Sequence, residues 1–274
     1  MAPAIDLTME GAARAGMTMT KLVPDSPAAA KVFPSPNHGE RAGGQPPRLL
    51  ILHYTGMAQA AEALQRLCNA ASKVSSHYFV FENGHVLQLV PEARRAWHAG
   101  LAQWAGETDI NSASIGIEIA NPGHAGGLPP FPEAQIAAVV RLCQDIVQRR
   151  GIRADLVLGH SDVAPERKDD PGELFPWRRL AEAGVGHWAA PAPIRSGRFF
   201  SPGESGAPIE ALQAMLALYG YGIDITGVYD RRTEAVVTAF QRHFRPERVD
   251  GIADASTIST LHDLIGSRPG PLLA

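Results

Sequence analysis

The stretch GHSDVAPERKDDPG, residues 159–172, ends a short apolar run with His160 and follows it with Lys168 and Asp170. One loop thus carries an imidazole, a cation and a carboxylate. A catalytic zinc ion takes three protein ligands of imidazole, carboxylate or thiolate type and keeps a fourth position for water or substrate. His160 and Asp170 supply two candidates. The third is His53, which closes the apolar segment RLLILHYTG, residues 48–56, in the same strand-then-loop context. Two strands that both end in histidine predict a sheet with a shared rim.

Outward from these strands the pattern alternates. After residue 56 come a helix over about 59–71, a strand over 78–81, a turn at Glu82-Asn83-Gly84 and a strand over 86–90. Asn-Gly between apolar runs is a hairpin signal. In residues 114–120, Ile115, Ile117 and Ile119 alternate with Gly116 and Glu118, so a strand there points Glu118 away from the isoleucines. Pro132-Glu133 opens a helix to about Arg150, and Gly151 ends it. Strands alternating with helices predict an α/β fold, a mixed central β-sheet flanked by helices.

Residues 1–33 lack a clear period and, with Pro24, Pro27, Pro34 and Pro36 near their end, read as a tail or a wrapping arm before a main domain over 34–188. Residues 189–207 shift to Pro, Gly, Ser and Ala and read as a linker, which implies that the C-terminal segment folds separately. Residues 208–274 read as a small all-α bundle: Ile209, Leu212, Leu216 and Tyr219 share one helix face, and Val236, Val237, Phe240 and Phe244 another. A half-repeat, GVYDRRT (227–233) and GIADAST (251–257), places Asp230 and Asp254 where each caps the next helix.

Composition narrows the function classes. With 274 residues, 45% of them hydrophobic, the chain sustains a sizeable core and a second, smaller unit. A net charge of -3 without basic runs excludes a nucleic-acid binder. Cys68 and Cys143 sit at apolar-face spacing in helices and read as buried thiols. Residues 1–21 lack the apolar core of a secretory signal, because Asp6, Glu10 and Arg14 interrupt it, and no run reaches the roughly eighteen residues of a membrane span. The expectation is a cytoplasmic protein, with the periplasm as the alternative.

The pieces LLILHYTG, VSSHYFVFENGHVLQLVPE, AWHAG, NSASIGIEIAN and GHSDVAPERKDDPG, in this order, resemble the zinc-dependent N-acetylmuramoyl-L-alanine amidases of the peptidoglycan-recognition-protein-like superfamily, over roughly residues 34–188. LQAML, YGY, TGVYD, AFQ and DGIAD resemble the three-helix peptidoglycan-binding domain attached to many wall hydrolases. The first resemblance implies Zn2+ on His53, His160 and Asp170, Glu118 as the catalytic acid/base and Lys168 as the stabiliser of the oxyanion. It implies groove contacts from His77, Trp97 and His98, and Asn111 is a candidate for a substrate hydrogen bond. Related amidases often carry Arg at the position of Asp109 and Asp at that of Ser112, so the grip on the stem-peptide carboxylates differs here. Asp162, Glu166, Arg167 and Asp169 read as structural, Asp162 steadying the loop and the others facing water. His38, His85, His124 and His187 read as surface residues.

The implied reaction is hydrolysis of the amide between N-acetylmuramic acid, or its 1,6-anhydro form, and L-Ala of the stem peptide. The partners are then anhydromuropeptides in a recycling role, or polymeric peptidoglycan for an exported enzyme. A recognition module that binds without cutting is the competing class; its mark is a lost ligand or a lost Glu118, and all are present. A third reading makes the bundle an interaction module docked on the amidase part.

Overall fold

The computed structural model describes residues 22–270. In chain order the first half contains β1 (Lys31–Val32), β2 (His38–Gly39), β3 (Leu49–Tyr54), α1 (Ala60–Cys68), β4 (Tyr78–Val80) and β5 (Val86–Gln88). Next come β6 (Arg95–Ala96), α2 (Ile110–Ala113), β7 (Ser114–Ile119), α3 (Glu133–Arg150), β8 (Val157–Gly159), α4 (His160–Val163) and α5 (Trp177–Glu182). The C-terminal part holds β9 (Phe199–Phe200), α6 (Ala207–Tyr219), α7 (Arg231–Phe244), β10 (Ala253–Asp254) and α8 (Ala255–Ser267).

The main sheet has six strands in the order β1-β5-β4-β7-β3-β8. Only the β4–β5 hairpin is antiparallel, and the other neighbours are parallel. It is the expected mixed sheet with flanking helices. Leu49, Leu50, Ile51 and Leu52 of β3 are all buried, the unbroken apolar run of a strand covered on both faces. α3 lays Ile136, Val139, Leu142, Cys143 and Ile146 against the sheet and ends at Gly151, whose left-handed conformation (φ 65°) returns its N–H to the Val147 carbonyl.

Some boundaries differ from the sequence reading. α1 stops at Cys68 rather than near residue 71, because Asn69 turns extended and its side chain accepts the Ala71 N–H to start a separate 3-10 turn. Within the segment read as a tail, Lys31–Val32 pairs with β5 and covers the sheet edge. Residues 1–21 lie outside the described residues. Both cysteines are free thiols, Cys143 buried and Cys68 half-buried.

In the C-terminal bundle, Asp230 and Asp254 each accept the N–H three residues on, from Thr233 and Thr257, both at 2.8 Å. Each repeat also wraps a buried glutamine. Gln213 accepts the N–H groups of Thr226 and Gly227 and donates to the Val228 carbonyl. Gln241 does the same with Asp250, Gly251 and Ile252.

The expectation of a separately folding bundle meets a different arrangement. The larger of two apolar clusters among the described residues runs without a break from the sheet into the bundle. Trp104 of the long loop is buried edge-on against Tyr219 and Tyr221, and the Ala105 N–H donates to the Gly220 carbonyl at 2.7 Å. A Cβ on Gly220 would lie 2.5 Å from the Trp104 ring, so the close approach needs glycine. The segment read as a linker lies along the bundle: Ala192 exchanges hydrogen bonds with Thr260 and Ser256, and β9 pairs with β10.

Candidate metal centre and active-site groove

β3 and β8 are parallel neighbours with Leu52 beside Gly159, so the residue after each, His53 and His160, emerges at the same carboxyl edge of the sheet. The loop after α4 folds back, with the Ser161 N–H bonded to the Asp170 carbonyl at 2.9 Å, and delivers the Asp170 carboxylate to the pair. His53 Nδ1, His160 Nδ1 and Asp170 Oδ2 lie 2.9 to 3.1 Å apart, and all three residues are buried.

The hydrogen bonds behind the rings fix their tautomers. His160 Nε2 is 3.0 Å from the Ala99 carbonyl, which only accepts, so the proton sits on Nε2. His53 Nε2 meets His98 Nδ1 at 3.0 Å, His98 Nε2 meets Ser114 Oγ at 3.1 Å, and that hydroxyl donates to the Ile110 carbonyl at 2.5 Å. With its hydrogen committed, Ser114 accepts from His98 Nε2–H, so His98 Nδ1 accepts from His53 Nε2–H. Both Nδ1 lone pairs therefore face the carboxylate oxygen with no proton between them. Three acceptors converging without a donor repel one another unless a cation sits among them, and two imidazoles with a carboxylate suit a divalent metal of the zinc type. Electrostatics agree: burial, then His160, pushes the His53 imidazole down to about 4. Burial, then the His53 charge, holds His98 well below its ordinary value.

Glu118 stands directly across from His53 in the β3–β7 register. Its Oε2 is buried without a hydrogen-bond partner. Burial, then the Asp170 charge, raises its carboxyl to about 8, with Lys168 opposing. Glu118 and Lys168 line one groove of about 380 Å3 together with His53, His160, Asp170, Trp97 and His98. A metal position, a proton-carrying carboxyl and an ammonium on one groove can attack and protonate an amide.

The N-acetylmuramoyl-L-alanine amidase family matches residues 43–173, and a putative peptidoglycan binding domain matches residues 205–261. N-acetylmuramoyl-L-alanine amidase AmiD of Escherichia coli (strain K12) is 41% identical over 227 residues, which are 77% of this chain and 79% of that protein. The chain belongs to the N-acetylmuramoyl-L-alanine amidase family. 1,6-anhydro-N-acetylmuramyl-L-alanine amidase AmpD of Enterobacter cloacae is 33% identical, covering 55% of this chain and 88% of its own length. Among solved structures, the complex of AmiD from E. coli with anhydro-N-acetylmuramic acid-L-Ala-D-gamma-Glu-L-Lys superposes with a TM-score of 0.69 at 37% identity, covering 84% of this chain and 97% of that one. AmpDh3 from Pseudomonas aeruginosa, in complex with anhydromuramic pentapeptide, gives a TM-score of 0.66 at 31% identity, over 80% of this chain and 91% of that one.

Two residues expected at the substrate lie elsewhere in this amidase-family chain. His77 is fully buried: its Nδ1 accepts the Gly116 N–H at 2.9 Å and its Nε2 donates to the Arg94 carbonyl at 3.0 Å, so it braces β7 from behind. Asn111 is buried too, and its Oδ1 accepts the N–H groups of His98 and Ala99, both at 2.9 Å, so it shapes the Trp97–His98 loop rather than reaching the groove. Both errors have one cause: a polar residue beside an apolar strand looks the same in sequence whether it faces solvent or satisfies backbone. His124 and His187 are not free surface residues either, since His124 bridges Tyr54 and Glu173 and His187 bonds the Tyr219 hydroxyl. Glu166, Arg167 and Asp169 are exposed, as expected, and from there also contact Arg232, the Ala99 carbonyl and Arg242. Asp109 caps α2 through the Ser112 N–H and pairs with Arg95.

Two site residues were not expected from the sequence: Ser114, which completes the relay behind His53, and Arg66, which lines the groove from α1. Ser114 opens the motif strand four residues before Glu118 and was legible as a polar strand end. Arg66 lies on an ordinary amphipathic helix, and nothing in its spacing separates it from a solvated cation. Gly116 has a local reason: a Cβ there would lie 2.6 Å from the His98 ring.

Proposed function

We propose that the protein is a zinc-dependent hydrolase of the amide between the lactyl group of N-acetylmuramic acid, 1,6-anhydro form included, and L-Ala of the stem peptide. The observation that carries this is the set of three unprotonated acceptors, His53 Nδ1, His160 Nδ1 and Asp170 Oδ2, on the same groove as the unpartnered Glu118 Oε2. Zinc bound by these three would polarise the scissile carbonyl and lower the pKa of a water to about 7. Glu118 takes a proton from the attacking water and returns one to the leaving L-Ala nitrogen, and a carboxyl raised by burial suits both halves of that task. Lys168 holds its ammonium against the oxygen where negative charge develops. Trp97 offers an aromatic face to the sugar, and Arg66 on the same groove supplies a cation for the stem carboxylates.

The likeness to AmiD and AmpDh3, whose solved complexes hold anhydromuropeptides, supports soluble anhydromuropeptides as substrates in a recycling role. The peptidoglycan-binding-domain match over 205–261 favours a second reading, action on polymeric wall. The parts proposed for the chain are an N-terminal tail or arm over 1–33, an amidase domain over 34–188, a linker over 189–207 and a peptidoglycan-binding-like helical domain over 208–274.

Mass spectrometry of products from defined anhydromuropeptides and from whole sacculi tests the substrate. Release of the intact stem peptide from soluble anhydromuropeptides is expected. Activity on sacculi alone makes wall remodelling the function, and cleavage at another bond overturns the amidase reading. The compartment is proposed as cytoplasmic; among the described residues no helix is long and apolar enough to cross a membrane. Fractionation of cells that make the native protein is expected to recover it with cytoplasmic markers, and recovery with periplasmic markers moves the enzyme to the periplasm.

A further inference from the structure

α4, which starts with the ligand candidate His160, is a single turn of four residues. A helix this short has no stability of its own. Its N-cap is Gly159, which has no side chain to cap it, so the fully buried Asp162 reaches back and accepts the Gly159 N–H at 2.7 Å. Two further groups meet the Asp162 carboxylate, and both come from the C-terminal bundle. The Tyr221 hydroxyl donates to Oδ1 at 2.7 Å, and His243 Nδ1 of α7 lies 2.7 Å from Oδ2. The His243 ring is in turn stacked on Trp177 with centroids 3.7 Å apart. Farther along the same loop α7 supplies Arg232 to Glu166 and Arg242 to Asp169. The segment that carries His160, Lys168 and Asp170 is thus gripped through three acidic residues by the bundle.

We propose that Tyr221 and His243 are positioning residues of the metal centre: acting through Asp162, they hold α4 in the orientation that presents His160 Nδ1 to the metal. The bundle then has a task at the active site besides any contact with glycan. The physical reason is satisfaction of a buried carboxylate: removing its bundle donors leaves Asp162 with unpaired lone pairs in a dry site, and the turn relaxes until water reaches them. This inference rests on the zinc reading above.

The test uses the full chain carrying Tyr221→Phe and His243→Phe, which keep an aromatic ring at each position and remove both polar contacts. Tyr229→Phe, whose hydroxyl donates to the Gly251 carbonyl inside the bundle, is the control for a stability loss that does not touch the loop. Zinc release to a chelator is expected to be at least about tenfold faster in the double variant, the scale of losing an outer support of a ligand. It is expected to stay at the wild-type rate in Tyr229→Phe. In the metal-free protein, hydrogen exchange at the Gly159 amide is expected to speed up in the double variant only. Tyr221→Phe alone carries the same comparison if the double variant does not fold. Wild-type release and exchange rates in the folded variant overturn the inference and leave the amidase reading intact. A wild-type protein that takes up no zinc overturns both.

Discussion

His53, His160 and Glu118 were legible in the sequence because each stands just after or within a strand, where chain direction says which way a side chain points, whereas Asp170 was legible only through the motif loop of residues 159–172 that carries it. What lay behind them was not, since the His53–His98–Ser114 relay depends on which strands become neighbours. At this scale the expected outcomes are sharp. His160→Ala abolishes zinc retention and activity, whereas Glu118→Ala keeps the metal and lowers turnover about a hundredfold or more, read by metal analysis beside kinetics. An active, zinc-free His160→Ala protein would falsify the ligand assignment. His98→Ala leaves the His53 Nε2–H without its acceptor, and zinc affinity is expected to fall about tenfold in a chelator competition. His77 sets a pH dependence. Burial, then the Arg41 charge, pushes its imidazole down to about 3, against about 6.5 in the unfolded chain. The unfolded state therefore binds a proton that the native state refuses, and stability contributed above 6.5 drains away as pH falls toward 3. The slope approaches about 1.4 kcal/mol per pH unit for this one group. Denaturant titrations from pH 7 to pH 4 are expected to show a shallower acid decline in His77→Gln.

Elements were readable where a local device marks them. The Asn83-Gly84 hairpin, the Gly151 helix end and the paired Asp230 and Asp254 caps all appear as expected. Where an end depends on competition between two local bonds, as at Asn69, apolar periodicity runs on too far. The repeat in the bundle was seen by its aspartates but not by Gln213 and Gln241, because a glutamine inside a helix carries no outward sign of being buried. Asp230→Ala is expected to cost about 1 kcal/mol in urea unfolding, the usual loss of an N-cap. A loss near zero would mean that the Gln213 network alone holds that turn.

For the whole molecule, sequence reasoning separated what the fold joins. Low complexity over 189–207 suggested two independent bodies, yet Trp104 is buried against Tyr219 and Tyr221, and Asp162 is held by Tyr221 and His243. These contacts span more than 50 residues of sequence, and no periodicity reports them. A chain ended near residue 190 bares the Trp104 side of the core and removes the donors of Asp162. Such a chain is expected to aggregate or to unfold non-cooperatively, while the full protein melts in one transition by calorimetry. Two separated transitions, or a soluble and active short form, would restore the picture of independent domains.

The fit of Trp104 beneath Gly220 bears on how this gene can be rearranged. An architecture of catalytic head plus wall-binding tail invites exchange of tails by recombination, and chimera design assumes the same freedom. Here a donor tail with any larger residue at position 220 would collide with the indole, and one lacking Tyr221 and His243 would leave Asp162 stranded. Head and tail form a matched pair at this seam, and a graft is expected to succeed only if both of its faces travel together.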